Sequence, residues 1–159
     1  MTEEKNTVAS SDTATLAAEQ ATNPASYVPG FLPKDYLANG YHGTTDKGEK
    51  YLLPEFVGEY AETMAKLLAD MKEADLNRLL RSLRRNKKSS FPYPARKSAA
   101  LELIPMAMAL VNRKKAPICL LSFIKDNVDH IHSDEDWHYF LRHFEAVSAF
   151  HAAQKGGDN

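Results

Sequence analysis

Only one cysteine, Cys119, occurs in the 159 residues. A lone thiol excludes an intramolecular disulfide and a cysteine-rich zinc site, and it fits a reducing compartment. Long apolar runs are missing as well, since nothing approaches the ~18 residues of a membrane span. The opening "MTEEKNTVASSDTATLAAEQ" is acidic, then rich in Ser, Thr and Ala, without the apolar stretch of a signal peptide. A cytoplasmic protein without membrane contact is therefore expected. No alternating apolar–polar strand pattern of any length is present, nor a glycine-rich phosphate loop, a nucleophile elbow or a zincin motif.

Charge is present but unevenly placed. The formal net charge is −1 at pH 7, yet twelve basic residues lie between Lys72 and Lys115 against only Glu73, Asp75 and Glu102, a local balance of +9. Acidic residues gather on either side, among them Glu59, Glu62, Asp134, Glu135 and Asp136. The densest basic stretch is "DLNRLLRSLRRNKK", residues 75 to 88, with six basic side chains. The distribution, rather than the total, decides which partners such a surface attracts.

The apolar residues trace helices. From Pro54 to about Lys72, Phe56, Tyr60, Met64, Leu67, Leu68 and Met71 recur on one helical stripe, with Pro54 placed for a first turn. A second helix is expected from about Asp75 to Arg85, with Asp75 as its cap. "NKKSSFPYPARKS" reads as a loop. A third helical region spans about Lys97 to Lys115. Its dense apolar residues predict burial on most sides, and Pro105 should kink or divide it. Pro117 can open a fourth helix, "PICLLSFIKDNVDHI". The fifth begins at Ser133 with Asp136 at capping-box spacing, and its stripe is Trp137, Phe140, Leu141, Phe144, Val147 and His151. The expected fold is all-α: a compact bundle of about five helices over residues 39–155, short loops joining antiparallel neighbours. Residues 1–38, polar and then proline-rich, read as a disordered, low-complexity tail.

On a wheel of the second helix, Leu76, Leu79, Leu80 and Leu83 share one side. Arg78, Arg81, Arg85 and Lys88 lie opposite, Arg84 sits near the boundary, and Lys87 follows. A charged outer face is ordinarily just solvated. Two features point further. Like charges at i,i+3 and i,i+4 repel, and no acidic side chain on this face relieves them. The excess is also rich in arginine, whose planar fork matches phosphate oxygens. A second cluster, Arg113, Lys114 and Lys115, ends the third helix. These nine residues, Arg78, Arg81, Arg84, Arg85, Lys87, Lys88, Arg113, Lys114 and Lys115, are the candidate set for binding a polyanion through its phosphates.

The remaining chemistry has simpler explanations. Five of the six histidines lie between His130 and His151, but His130 and His132 are two apart and His138 and His143 five apart. Neither spacing puts two ligands on one helix face, so no metal site is expected. Cys119, in "PICLLSFI", is a small core residue. Asp134, Glu135 and Asp136 are explained as first-turn residues. No catalytic residue and no cofactor are assigned.

Several segments together resemble a known family. "DEDWHYFLRHFEAVSAFH" resembles the C-terminal signature of the small-subunit family of type III-A (Csm-type) CRISPR effector complexes: an acidic cap, then an aromatic-rich helix ending near an aromatic–histidine pair. "GYHGTTDKGEKYLLPEFVGEYAETMAKLL" is similar to the family's lead-in and first long helix. "LNRLLRSLRR" stands where members carry an arginine-containing helix, and "IPMAMALVNRKK" is similar to their proline-bearing third helix. The resemblance covers about residues 40 to 153. The chain departs from the pattern in "EADLNR", where members have a Thr/Ser-rich cap, and in "SSFPYPARKS".

The resemblance implies a non-catalytic subunit, several copies of which stack along the ribonucleoprotein filament. It implies guide RNA and target RNA as partners, together with the repeated backbone subunit, the large polymerase-like subunit and other copies of itself. It assigns Arg78, Arg81, Arg85 and Arg113 to the RNA backbone. Two alternatives stay open on the residues alone: a helix-turn-helix DNA-binding regulator, and a purely protein-binding helical module.

Overall fold

Proline lacks an N–H and holds φ near the helical value, so Pro54 belongs in a first turn. In the computed structural model it opens a short 3-10 turn, Pro54–Phe56, after an extended Leu53. The structure describes residue 32 and residues 35–85, 87 and 92–157. Around that turn lie a hairpin of β1 (His42–Thr44) and β2 (Lys50–Leu52) and five α-helices among the described residues. These are α1 (Glu59–Leu67), α2 (Glu73–Arg84), α3 (Tyr93–Asn112), α4 (Ile118–Asp129) and α5 (Asp134–Gly157). The all-α expectation holds.

Helix α5 is the axis of the bundle. It packs against α1, α2 and α3, and α3 packs against α2 and α4. Its expected stripe is buried throughout, from Trp137 through Phe140, Leu141, Phe144 and Val147 to His151. Phe144 meets the rings of Phe140 and Phe123, the latter from α4, at centroid distances of 5.8 Å. The start of α5 is capped as its sequence predicts. Ser133 Oγ accepts from the Asp136 N–H at 3.2 Å, and the Asp136 carboxylate reaches back to the N–H of His132 at 3.0 Å.

Several expectations are corrected. The hairpin is not expected from the sequence, because each strand has only three residues, too few for alternation to show. Its register is His42 with Leu52, Gly43 with Tyr51 and Thr44 with Lys50. The turn uses Gly48 at φ +84°. At Gly43 a Cβ would lie 2.6 Å from the hydroxyl of the exposed Tyr51 side chain, which would have to shift.

The first helix is shorter than Pro54 to Lys72. Gly58, at φ −120° and ψ −106°, separates the 3-10 turn from α1, which ends at Leu67. Asp75 is not the cap of α2. Extended Lys72 holds that position, and Asp75 is buried in the first turn. Helix α3 begins earlier than Lys97, at Tyr93, because Pro94 is tolerated in a first turn.

Of the two outcomes expected at Pro105, division does not occur: α3 runs continuously from Tyr93 to Asn112. Pro105 sits on the exposed side with Leu101, whose carbonyl loses its donor where water can replace it. That side also corrects the expected burial of α3, since Leu101 is 46% and Met108 42% exposed. On the tail side of residue 39, Leu32 and Leu37 are buried and Tyr36 packs against Phe56 and Tyr60.

Candidate nucleic-acid interface

The leucine seam of α2 is buried at Leu76, Leu79, Leu80 and Leu83. Burying one leucine contributes about 2 kcal/mol, so the seam fixes which way the opposite face points. Arg78, Arg81, Arg84 and Arg85 are exposed on it, as is Lys87 beyond the helix. Lys88 lies outside the described residues. The four arginines, with Ser82 and with Met106 from α3, line an open groove of about 680 Å³.

The guanidinium groups are not equivalent. Arg84 Nη2 donates to the Glu145 carboxylate on α5 at 2.6 Å. Arg85 Nη2 donates to Ser82 Oγ at 3.2 Å, which turns its head along the groove wall. Neither Arg78 nor Arg81 has an acidic partner among the described residues. The helix carries no acid on this face, as its sequence says. Relief for Arg84 comes from a residue 61 positions away, which a wheel of α2 cannot register.

Arg113, Lys114 and Lys115 are exposed after the end of α3, with Lys114 at φ +60°. Lys114 and Lys115 border a second groove with Leu67, Asp70, Met71, Val111, Pro117 and Ile118. Asp70 and Met71 lead into the N-terminal end of α2, whereas Arg84 and Arg85 stand at its C-terminal end. At 1.5 Å per residue, Arg78 stands about 8 Å and Arg85 about 18 Å along that axis from the start of α2.

Two basic residues of the local excess serve the fold. Arg96 is buried. Its Nη1 pairs with Asp134 Oδ1 at 2.5 Å, its Nη2 donates to the Lys87 carbonyl at 3.1 Å, and its guanidinium lies 5.3 Å from the centre of the Trp137 ring. Lys97 Nζ donates to the carbonyls of Val128 and Ile131, both at 2.7 Å, and so caps the end of α4. Burial lowers the pKa of its ammonium.

The histidines divide between core and surface. His143 and His151 are fully buried. His151 Nε2 lies 3.0 Å from the carbonyls of Leu68 and Met71, beyond the end of α1. His143 Nδ1 lies 2.5 Å from the Phe56 carbonyl, and burial pushes the ring's pKa down to about 4. His138 is 3.7 Å from Asp134. Among the described residues no group of three or more His, Cys, Asp or Glu side chains is placed to hold a metal ion. Burial raises the Cys119 thiol to about 11, so it stays protonated at neutral pH. No helix among these residues is long and apolar enough to cross a membrane.

A family model described as Csm2 Type III-A matches residues 53–157. The chain belongs to this family. As a Csm2 chain it is a small subunit of a type III-A CRISPR complex and associates with the other Csm subunits. The Csm2 match begins at Leu53 and takes in all five helices, including the arginine face of α2 and the cluster after α3. The hairpin and Tyr36 precede it. No curated protein and no solved structure matches the chain.

Proposed function

We infer that this Csm2-family chain is a non-catalytic subunit that holds RNA by its phosphates. Guide–target pairing supplies sequence recognition, so the protein needs only a backbone contact. The observation that carries the reading is the outward row Arg78, Arg81 and Arg85 on a leucine-anchored helix, with Arg78 and Arg81 unpaired among the described residues. Arg113, Lys114 and Lys115 add a second contact. Three to five phosphates neutralised per copy correspond to a slope of log K against log salt of roughly −2 to −3.5 on single-stranded RNA. One such site is weak at cellular salt. Several copies beside the backbone and polymerase-like subunits, lining the groove of guide and target RNA, gain affinity through effective concentration.

The helix-turn-helix alternative loses support. Eight residues, 85 to 92, separate α2 from α3, where that motif uses three or four. A four-residue turn does join α4 to α5, but α5 then opens with Asp134, Glu135 and Asp136, the wrong charge for a recognition helix. The test is filter binding of the assembled complex carrying Arg81→Ala and Arg85→Ala across a salt series. Weaker binding with a shallower slope and an intact fold is expected. Unchanged affinity and slope return the face to solvent.

A further inference from the structure

The groove between α2 and α3 has more in it than phosphate binding uses. A ridge of exposed lysines would meet a phosphate chain equally well. Here the rim is guanidinium, but the walls are mainly carbon: the methylene stems of Arg78, Arg81 and Arg85 and the thioether of Met106. Ser82 accepts from the Arg85 head at 3.2 Å, while Glu145 draws Arg84 toward α5 at 2.6 Å. The planar cation of Arg85 is thus partly fixed before any ligand arrives. At about 680 Å³, the groove is of the size that receives small planar ligands.

We propose that this groove receives an unpaired nucleobase of RNA, stacked on the Arg85 guanidinium over Met106, while the flanking phosphates meet Arg78 and Arg81. The proposal rests on the RNA reading above and deepens it. Bases present a flat π-face that arginine stacks on and apolar walls desolvate, irrespective of sequence. In an A-form duplex that face is covered by neighbouring pairs, leaving only phosphates and 2′-hydroxyls to contact. The site therefore favours single-stranded or locally unpaired RNA over duplex.

The test uses the full-length chain at low salt with short oligouridylate, the same strand carrying one abasic ribose, and a blunt RNA duplex. The intact strand should bind roughly three- to fivefold tighter than the abasic one, the scale of a stacked cation at an exposed site. Both should show the same salt slope. Met106→Ala should abolish that difference without altering the slope, and the abasic arm, read on the unaltered protein, does not depend on how that variant folds. Equal affinity for intact and abasic strands, with a salt slope present, overturns the base contact alone and leaves phosphate binding standing. Duplex binding as tight as single-strand binding overturns it too. No binding to any of the three overturns the RNA reading and this proposal with it.

Discussion

The Tyr36 hydroxyl donates to Nε2 of His143 at 2.8 Å and accepts from the Asn127 amide at the same distance. The other ring nitrogen of His143 faces the Phe56 carbonyl at 2.5 Å and donates to it, and burial keeps the ring neutral, which leaves Nε2 as the acceptor. Asn127 also accepts from Tyr41 at 2.9 Å. This partly buried chain ties the lead-in segment to α4 and α5.

Neutrality of His143 gives a pH dependence with a definite sign. Folding lowers its pKa from 6.5 to about 4, because burial penalises the charged ring. Between those values the unfolded chain binds more protons, so stability falls as pH falls through that window. About 2 kcal/mol should be lost between pH 7.5 and pH 5. Urea midpoints at the two pH values measure it. His143→Asn should flatten the difference, and an unchanged difference in that variant would assign it to other groups.

The aromatic stripe predicts a large, local cost. Phe144 is 1% exposed and meets two other rings, so Phe144→Ala should destabilise by about 3–5 kcal/mol through lost burial and an unfilled cavity. The urea midpoint again reads it. A loss below about 1 kcal/mol would mean that the helices close over the gap.

That stripe was plain in the sequence because α5 is 24 residues long and its aromatics recur with helical spacing over several turns. The leucine seam of α2 was legible for the same reason. The hairpin was not, since three residues per strand carry no period. Nor was the sorting of the basic residues. Arg81 and Arg96 read alike in "LRSLRR" and "PARKS", and only the tertiary approach of Asp134 and Trp137 buries one and leaves the other outside. Glu145 was visible as an acid on α5, but its reach to Arg84 belongs to the packing of two helices distant in the chain.

The sorting of arginines can be measured. Arg96→Ala should cost about 2–3 kcal/mol, from lost contact with the Trp137 ring and unpaired polar groups beside it. Arg81→Ala should change stability by no more than about 0.5 kcal/mol. Urea unfolding of the two variants side by side decides it. Equal losses would contradict the division between a structural and a surface arginine.

The pair between Arg84 and Glu145 offers a change that should strengthen binding. Both side chains are partly exposed, at 45% and 31%, so the pair adds at most about 1 kcal/mol to stability. Glu145→Gln removes a negative charge beside the groove and leaves the Arg84 guanidinium free to take a phosphate. Affinity for single-stranded RNA should rise. The slope of log K against log salt should steepen by about 0.7, the increment for one further phosphate. A salt series on the wild-type and variant complexes measures both quantities together. Higher affinity with an unchanged slope would mean that the lost carboxylate had only repelled RNA from a distance. If neither quantity moved, Arg84 and Glu145 would lie away from the path of the RNA, and the contact would narrow to Arg78, Arg81 and Arg85.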